Sequence, residues 1–185
     1  MTNPEIELDD IDGLSTGAVG EPGAREFYLQ ARNSTSQLTV LVEKEQVALL
    51  ATEATAFLDR LADEYPEVAV TLPETVAELQ PPTVPLFRAR LIGLGFDPER
   101  ELVMIELREH PSIEDDELLG DDVPLGEDAP DADDEEGYIA RIYATRPQVR
   151  AMAARGSTVV GAGRPPCSLC GMPMDPAGHR CPRWN

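Results

Sequence analysis

Leu38-Thr39-Val40-Leu41-Val42-Glu43-Lys44-Glu45-Gln46-Val47 changes its period halfway through. As far as Val42 the residues are mostly β-branched and aliphatic, the composition of a strand. From Lys44 onward the apolar positions Val47, Leu50, Ala54, Phe57, Leu58 and Leu61 recur at steps of three and four. That spacing stacks them on one face of a helix. The helix should run to about Tyr65, because Pro66 cannot continue it.

A similar passage stands near the other end of the chain. Tyr138-Ile139-Ala140-Arg141-Ile142-Tyr143 reads as a strand, and Thr145 can cap a helix with Pro147 in its first turn and Gln148 three residues on. Val149, Met152, Gly156, Val159 and Val160 mark the inner face. Glu45-Gln46-Val47 and Pro147-Gln148-Val149 lie at similar distances past their strands, a local echo of an internal repeat.

Working outward, Glu21-Pro22-Gly23 is a turn, since Pro presets the first central φ and Gly accepts a positive one. It follows Thr16 to Gly20 and leads into a strand over Glu26 to Ala31. Asn33 to Ser36 is a second turn cluster. After a Pro-rich connector, Val68 to Thr83, come a strand over Leu86 to Leu94, a turn at Asp97-Pro98-Glu99 and a strand over Glu101 to Leu107. Each half therefore reads strand, strand, strand, helix. The expected class is α+β: an antiparallel sheet of about six strands with two amphipathic helices on one face.

The 185 residues carry a net charge of −20, distributed unevenly. Thirteen acidic and no basic residues lie between Pro111 and Gly137; without them the charge falls to −7. That stretch is too poor in apolar residues to offset its ordering entropy and is expected to be a disordered loop, 111–137. Its alternative role is an acidic lure for a basic partner or a cation. Five more acids fall in the first thirteen residues, expected to be a flexible N-terminus. The domain is thus placed at 14–163 and a separate tail at 164–185. The charge disfavours nucleic acid and anionic membranes as partners. No apolar run is long enough to span a bilayer, and Met1 to Asp12 has neither a secretory nor a transit composition. The expected compartment is the cytoplasm.

The tail reads Cys167-Ser168-Leu169-Cys170-Gly171-Met172-Pro173-Met174-Asp175-Pro176-Ala177-Gly178-His179-Arg180-Cys181. Two thiolates two residues apart can share one zinc ion, with N–H groups of the intervening turn donating to the sulfurs. Gly171 suits the positive φ such a turn tends to need. His179 and Cys181 then complete a candidate set of three cysteines and one histidine. The His-x-Cys spacing is tighter than usual, so a water, Asp175 or the terminal carboxylate could replace His179. A redox dithiol is the rival reading of Cys-x-x-Cys, but a Pro/Gly-rich tail lacks the strand-to-helix junction such sites use. Four donors within fifteen residues make a closed, structural Zn²⁺ site.

No phosphate loop, dinucleotide fingerprint, His-Glu-x-x-His or nucleophile elbow occurs. His110, the other histidine, precedes Pro111 at a strand end and reads as a solvated terminus. Arg88 and Arg90 share one strand face; they could hold an anion or pair with Glu106 and Glu101 across the hairpin.

Gly20-Glu21-Pro22-Gly23, Phe27 to Arg32, Leu41 to Val47, Gly163 to Gly171 and Gly178-His179-x-Cys181-Pro182-Arg183 together resemble an uncharacterised actinobacterial family catalogued only as a domain of unknown function. The resemblance spans nearly the whole chain and is most specific in the tail. It implies a cytoplasmic protein, with a genomic link to a histidine-phosphatase-like and a phosphoinositide-kinase-like protein, and it supplies no activity and no catalytic residues. The leading expectation is an accessory or protein-interaction protein, more a binder than an enzyme, with structural zinc on Cys167, Cys170, His179 and Cys181. The alternative is an enzyme binding an anionic small molecule on the sheet face through Arg88, Arg90 and Arg141. A nucleic-acid-binding zinc module is the third, disfavoured by the charge of the body.

Overall fold

A computed structural model describes residues 4–66, 78–109, 137–175 and 178–184. Along the chain lie β1 (Glu5–Leu8), β2 (Gly13–Val19), β3 (Glu26–Arg32), β4 (Gln37–Val42), α1 (Lys44–Glu64), β5 (Phe87–Arg88), β6 (Leu91–Asp97), β7 (Leu102–Arg108), β8 (Ile139–Ala144) and α2 (Arg146–Gly161). The class is α+β, with both helices where their periodicity puts them.

The single antiparallel sheet is corrected to two mixed sheets of four strands, ordered β2-β3-β4-β5 and β1-β8-β7-β6. Each is built on an antiparallel meander, and a short strand from the other half of the chain adds to it in parallel: β5 to β4 and β1 to β8. The two halves thus have the same element order, and each lends its first strand to the other. Glu5–Leu8, expected within a flexible N-terminus, is one of these lent strands. The single strand expected over Leu86 to Leu94 is broken between β5 and β6, and its pieces belong to different sheets.

The equivalence extends to turns and links. The Asp12 N–H donates to the Arg32 carbonyl at 3.0 Å, and the Arg90 N–H to the Arg108 carbonyl at 2.7 Å. The Asn33 N–H donates to the Ser36 carbonyl at 2.9 Å, and the Glu109 N–H to the Tyr138 carbonyl at 3.0 Å. The acidic stretch therefore stands in the second half where the first has a two-residue turn. Residues 110–136, including His110 and nearly all of the acidic stretch, lie outside the described residues, as do residues 67–77 of the connector.

One apolar core runs through both halves. Leu29, Val40, Val103, Ile105, Leu107 and Ile142 are fully buried on the central strands, joined by Val47 and Leu58 of α1 and Val149 and Met152 of α2. The helices pack on each other at Gly156, where an added Cβ would come within 3.3 Å of Val47 Cγ1 and 3.5 Å of Ala51 Cβ. Any side chain there would oblige Val47 and Thr16 to give by a few tenths of an ångström. The Thr16 hydroxyl donates to the Met152 carbonyl at 3.2 Å and fixes α2 on β2. Between α1 and β6 the packing is looser. A groove of about 410 Å³ opens there, lined by Leu49, Phe57, Arg60, Arg90, Ile92 and Leu94.

The other faces of the meanders carry polar pairs in register. Gln30 faces Thr39 in one, with its amide nitrogen 3.0 Å from the Thr39 hydroxyl. Glu106 faces Arg141 in the other, at 2.7 Å. No helix among the described residues is long and apolar enough to cross a membrane.

Candidate metal centre

After α2 ends at Gly161, the chain turns back on itself in a small hairpin. Pro166 bridges to Pro173, the Met174 N–H donates to the Pro165 carbonyl at 2.9 Å, and the Cys167 N–H to the Met172 carbonyl at 2.8 Å. The tip of this hairpin is Cys167 to Gly171, closed by the Gly171 N–H on the Cys167 carbonyl at 2.8 Å. Gly171 has φ +75°, the left-handed conformation that favours glycine. The Leu169 N–H points at Cys167 Sγ at 3.5 Å. Prolines and a glycine shape this segment with hardly any regular structure, so little besides the hairpin bonds holds it.

Further along the tail, His179 and Cys181 come to the same point. Cys167 Sγ lies 3.9 Å from Cys181 Sγ, and Cys170 Sγ lies 3.8 Å from His179 Nε2. All four donor atoms lie within 4.8 Å of one another. Cys167 is buried, and Cys170 and Cys181 are partly so. The three thiols are free of disulfides. Four donors at this mutual distance can hold a single metal ion. Other groups support the site from outside. Arg183 donates to the Leu169 carbonyl at 3.2 Å, the Trp184 N–H donates to the Cys181 carbonyl at 3.1 Å, and Arg164 pairs with Asp175 at 2.5 Å. Asp175 is thereby engaged elsewhere.

The thiols differ in acidity. The N–H groups of Cys170 and Leu169, and then His179, pull the Cys167 thiol down to about 6. The Met172 N–H pulls on Cys170 in the same sense, but desolvation together with the neighbouring Cys167 and Cys181 leaves its thiol raised. A first thiolate at Cys167 is the natural starting point for metal capture, since the thiolate is the ligand.

The three arginines of the alternative reading do not converge. Arg88 lies on β5 and pairs with Glu43 at 2.6 Å, not with Glu106. Arg141 lies in the other sheet, held by Glu106 at 2.7 Å and Glu5 at 3.3 Å. Arg90 lines the groove beside α1. Sequence reasoning missed a different cluster, Arg25, Lys44 and Arg164, whose members come from three distant segments. No periodicity or spacing could have joined them.

A family model described as a protein of unknown function, DUF3090, matches residues 6–181. No curated protein and no solved structure matches the chain.

Proposed function

The chain belongs to the DUF3090 family, and we propose that it is an accessory protein which captures a protein partner through a zinc-stabilised C-terminal knuckle. The observation that carries this reading is the exposure of the knuckle's apolar side chains. Leu169 is 51% exposed, Met172 54% and Trp184 79%. A tail with few apolar residues can gain its order by packing them on the body or by binding metal. Here those three side chains face solvent and only Met174 is half-buried, which makes metal, beside the hairpin bonds, the main source of order and leaves an apolar face free for a partner.

Zinc fits the donor set. Three thiolates and one imidazole are soft ligands, and zinc takes them in a tetrahedron with arms of about 2.3 Å to sulfur and about 2.0 Å to nitrogen. The edges of that tetrahedron are about 3.8 Å between sulfurs and about 3.5 Å from sulfur to nitrogen. The separations of 3.9 and 3.8 Å need little adjustment to meet them. With four protein ligands the ion has no open position, so its role is to hold structure. Such a site requires reduced thiols, which suits the cytoplasm.

The test is capture from the native cell extract with full-length protein, compared between wild type and Trp184→Ala/Met172→Ser. The expected result is a stoichiometric protein partner retained by the wild type and lost by the double variant, with zinc content unchanged in both. Equal capture by both would move the partner surface away from the knuckle.

A further inference from the structure

Arg25, Lys44 and Arg164 line a pocket of about 260 Å³ at the junction of body and knuckle, with Gly23, Phe27, Gly163 and Pro173. We propose that this pocket binds a phosphate group carried by a small soluble ligand.

Four observations converge on it. First, three cations and no carboxylate line the pocket, in a chain whose net charge is −20, and the one carboxylate paired with any of them, Asp175 on Arg164, lies outside the lining. The chain's only lysine is here. Second, the two guanidinium groups are held by neighbours. Arg25 donates to the Val159 carbonyl at 3.2 Å and lies 5.4 Å over the Phe27 ring. Asp175 holds Arg164 by one nitrogen at 2.5 Å. Third, glycines keep the space between them open. A Cβ on Gly23 would come within 3.3 Å of Arg164 Cζ, and one on Gly163 within 3.3 Å of Arg25 Nη2 and 3.8 Å of Lys44 Nζ. The three cations therefore face a common volume with no side chain in it.

The fourth observation comes from the repeat. Lys44 opens α1 as Arg146 opens α2. Arg146 is buried, with its guanidinium on the Tyr65 carbonyl at the end of α1, at 2.6 Å, and over the Phe96 ring. Lys44 reaches towards the matching end of α2 but forms no hydrogen bond or ion pair among the described residues. The same station is satisfied within the fold in one half and left for an external acceptor in the other. Arginine forks and a lysine ammonium are suited to phosphate oxygens, and here two half-buried guanidinium groups flank an exposed ammonium. The pocket's volume accommodates a phosphate monoester but not a long polyanion. The negative charge of the whole chain also repels anionic surfaces, so the ligand is a soluble one.

The experiment is a titration of full-length, metal-loaded protein with inorganic phosphate at constant ionic strength, followed by the amide shifts of Gly23, Lys44 and Gly163. Saturable shifts confined to these residues are expected. Lys44→Gln removes an exposed charge with no internal partner, so it should fold as the wild type and weaken binding roughly tenfold, the loss of one charged hydrogen bond. Arg25→Gln should weaken it similarly, whereas Arg60→Gln, in the groove beside β6, should not. Non-saturating shifts, or an affinity unchanged in Lys44→Gln, would overturn the proposal. Vesicles bearing phosphorylated headgroups are the second arm. Binding to them with no response to free phosphate would also overturn it.

Discussion

Gln46 and Gln148 hold the same station in the two halves of the chain. Each accepts, at 2.8 Å, the N–H of the residue that precedes its helix, Glu43 and Thr145 respectively. Each then donates to a backbone carbonyl in the link before a meander of the other half. Gln46 reaches Ala89 and Arg90 at 3.2 Å, and Gln148 reaches Ile11 at 2.8 Å. A helix cap thus doubles as a clamp between halves. Replacing Gln148 by Leu leaves the Thr145 N–H and the Ile11 carbonyl unpaired, at a cost of about 1–3 kcal/mol. Gln46→Leu should cost less, because its partners at Glu43 and Arg90 are open to water. Urea unfolding would check the order; equal, negligible losses would show that neither clamp matters.

Glu106 supplies the pH dependence. Burial pushes its carboxyl up, but hydrogen bonds from Arg141 and Arg108 outweigh that and hold it below the usual carboxylate range. The unfolded chain then binds the proton more tightly than the folded one. The stability this contributes is complete above the unfolded pKa of about 4.3 and is lost as pH falls through the lower, folded value. Glu106→Gln should cost on the order of 1–2 kcal/mol at neutral pH. The gap from wild type should close in acid. A gap that held constant down to about pH 2 would show that shape, not charge, is what the position requires.

The helices and most of the meander strands were legible because their signals are local: period 3.6 in Val47 to Leu61, a short apolar run in Leu102 to Leu107, and Thr145-x-x-Gln148 as a cap. The four candidate metal donors were legible for the same reason, being crowded into one short segment. The lent strands β1 and β5 were not. β1 has four residues and β5 two, too short for periodicity, and each is created by a parallel partner in the other half. Without them the division into two sheets cannot be seen. The Arg25, Lys44 and Arg164 cluster is likewise a product of the closed fold, since nothing in one segment announces the other two.

The link between β7 and β8 should be replaceable. Glu109 and Tyr138 are bonded as Asn33 and Ser36 are, so the second meander can close as tightly as the first. Exchanging residues 110–137 for Asn-Gly, a dipeptide suited to two-residue hairpins, should leave the thermal midpoint within a few degrees. The chain would then carry thirteen fewer negative charges. Loss of cooperative unfolding would mean that the replaced residues contribute contacts the short turn cannot supply.

Elemental analysis addresses the metal. Protein purified without added metal should contain about one zinc per chain, as expected of a tight structural site. Cys167→Ser and Cys181→Ser should each lose it, and His179→Ala should weaken retention. A chelator should release the ion and disorder the knuckle while the far-ultraviolet dichroism of the body persists. Full retention of zinc by both cysteine variants would exclude the assignment.

The knuckle should also be separable. Among the described residues, every buried apolar side chain except Cys167 precedes Gly163. Truncation after Gly163 therefore removes no part of the core formed by the two sheets and two helices. It also removes Arg164, whose ion pair is with Asp175 in the tail itself and which meets the body where it lines the pocket with Arg25 and Lys44. The shortened protein should unfold cooperatively, with a midpoint within a few degrees of the full chain, and should no longer retain the partner. Aggregation of the shortened protein would point the other way. It would make the knuckle a plug over apolar surface, and the groove between α1 and β6, with Leu49 62% exposed, would become the surface to test for partner binding.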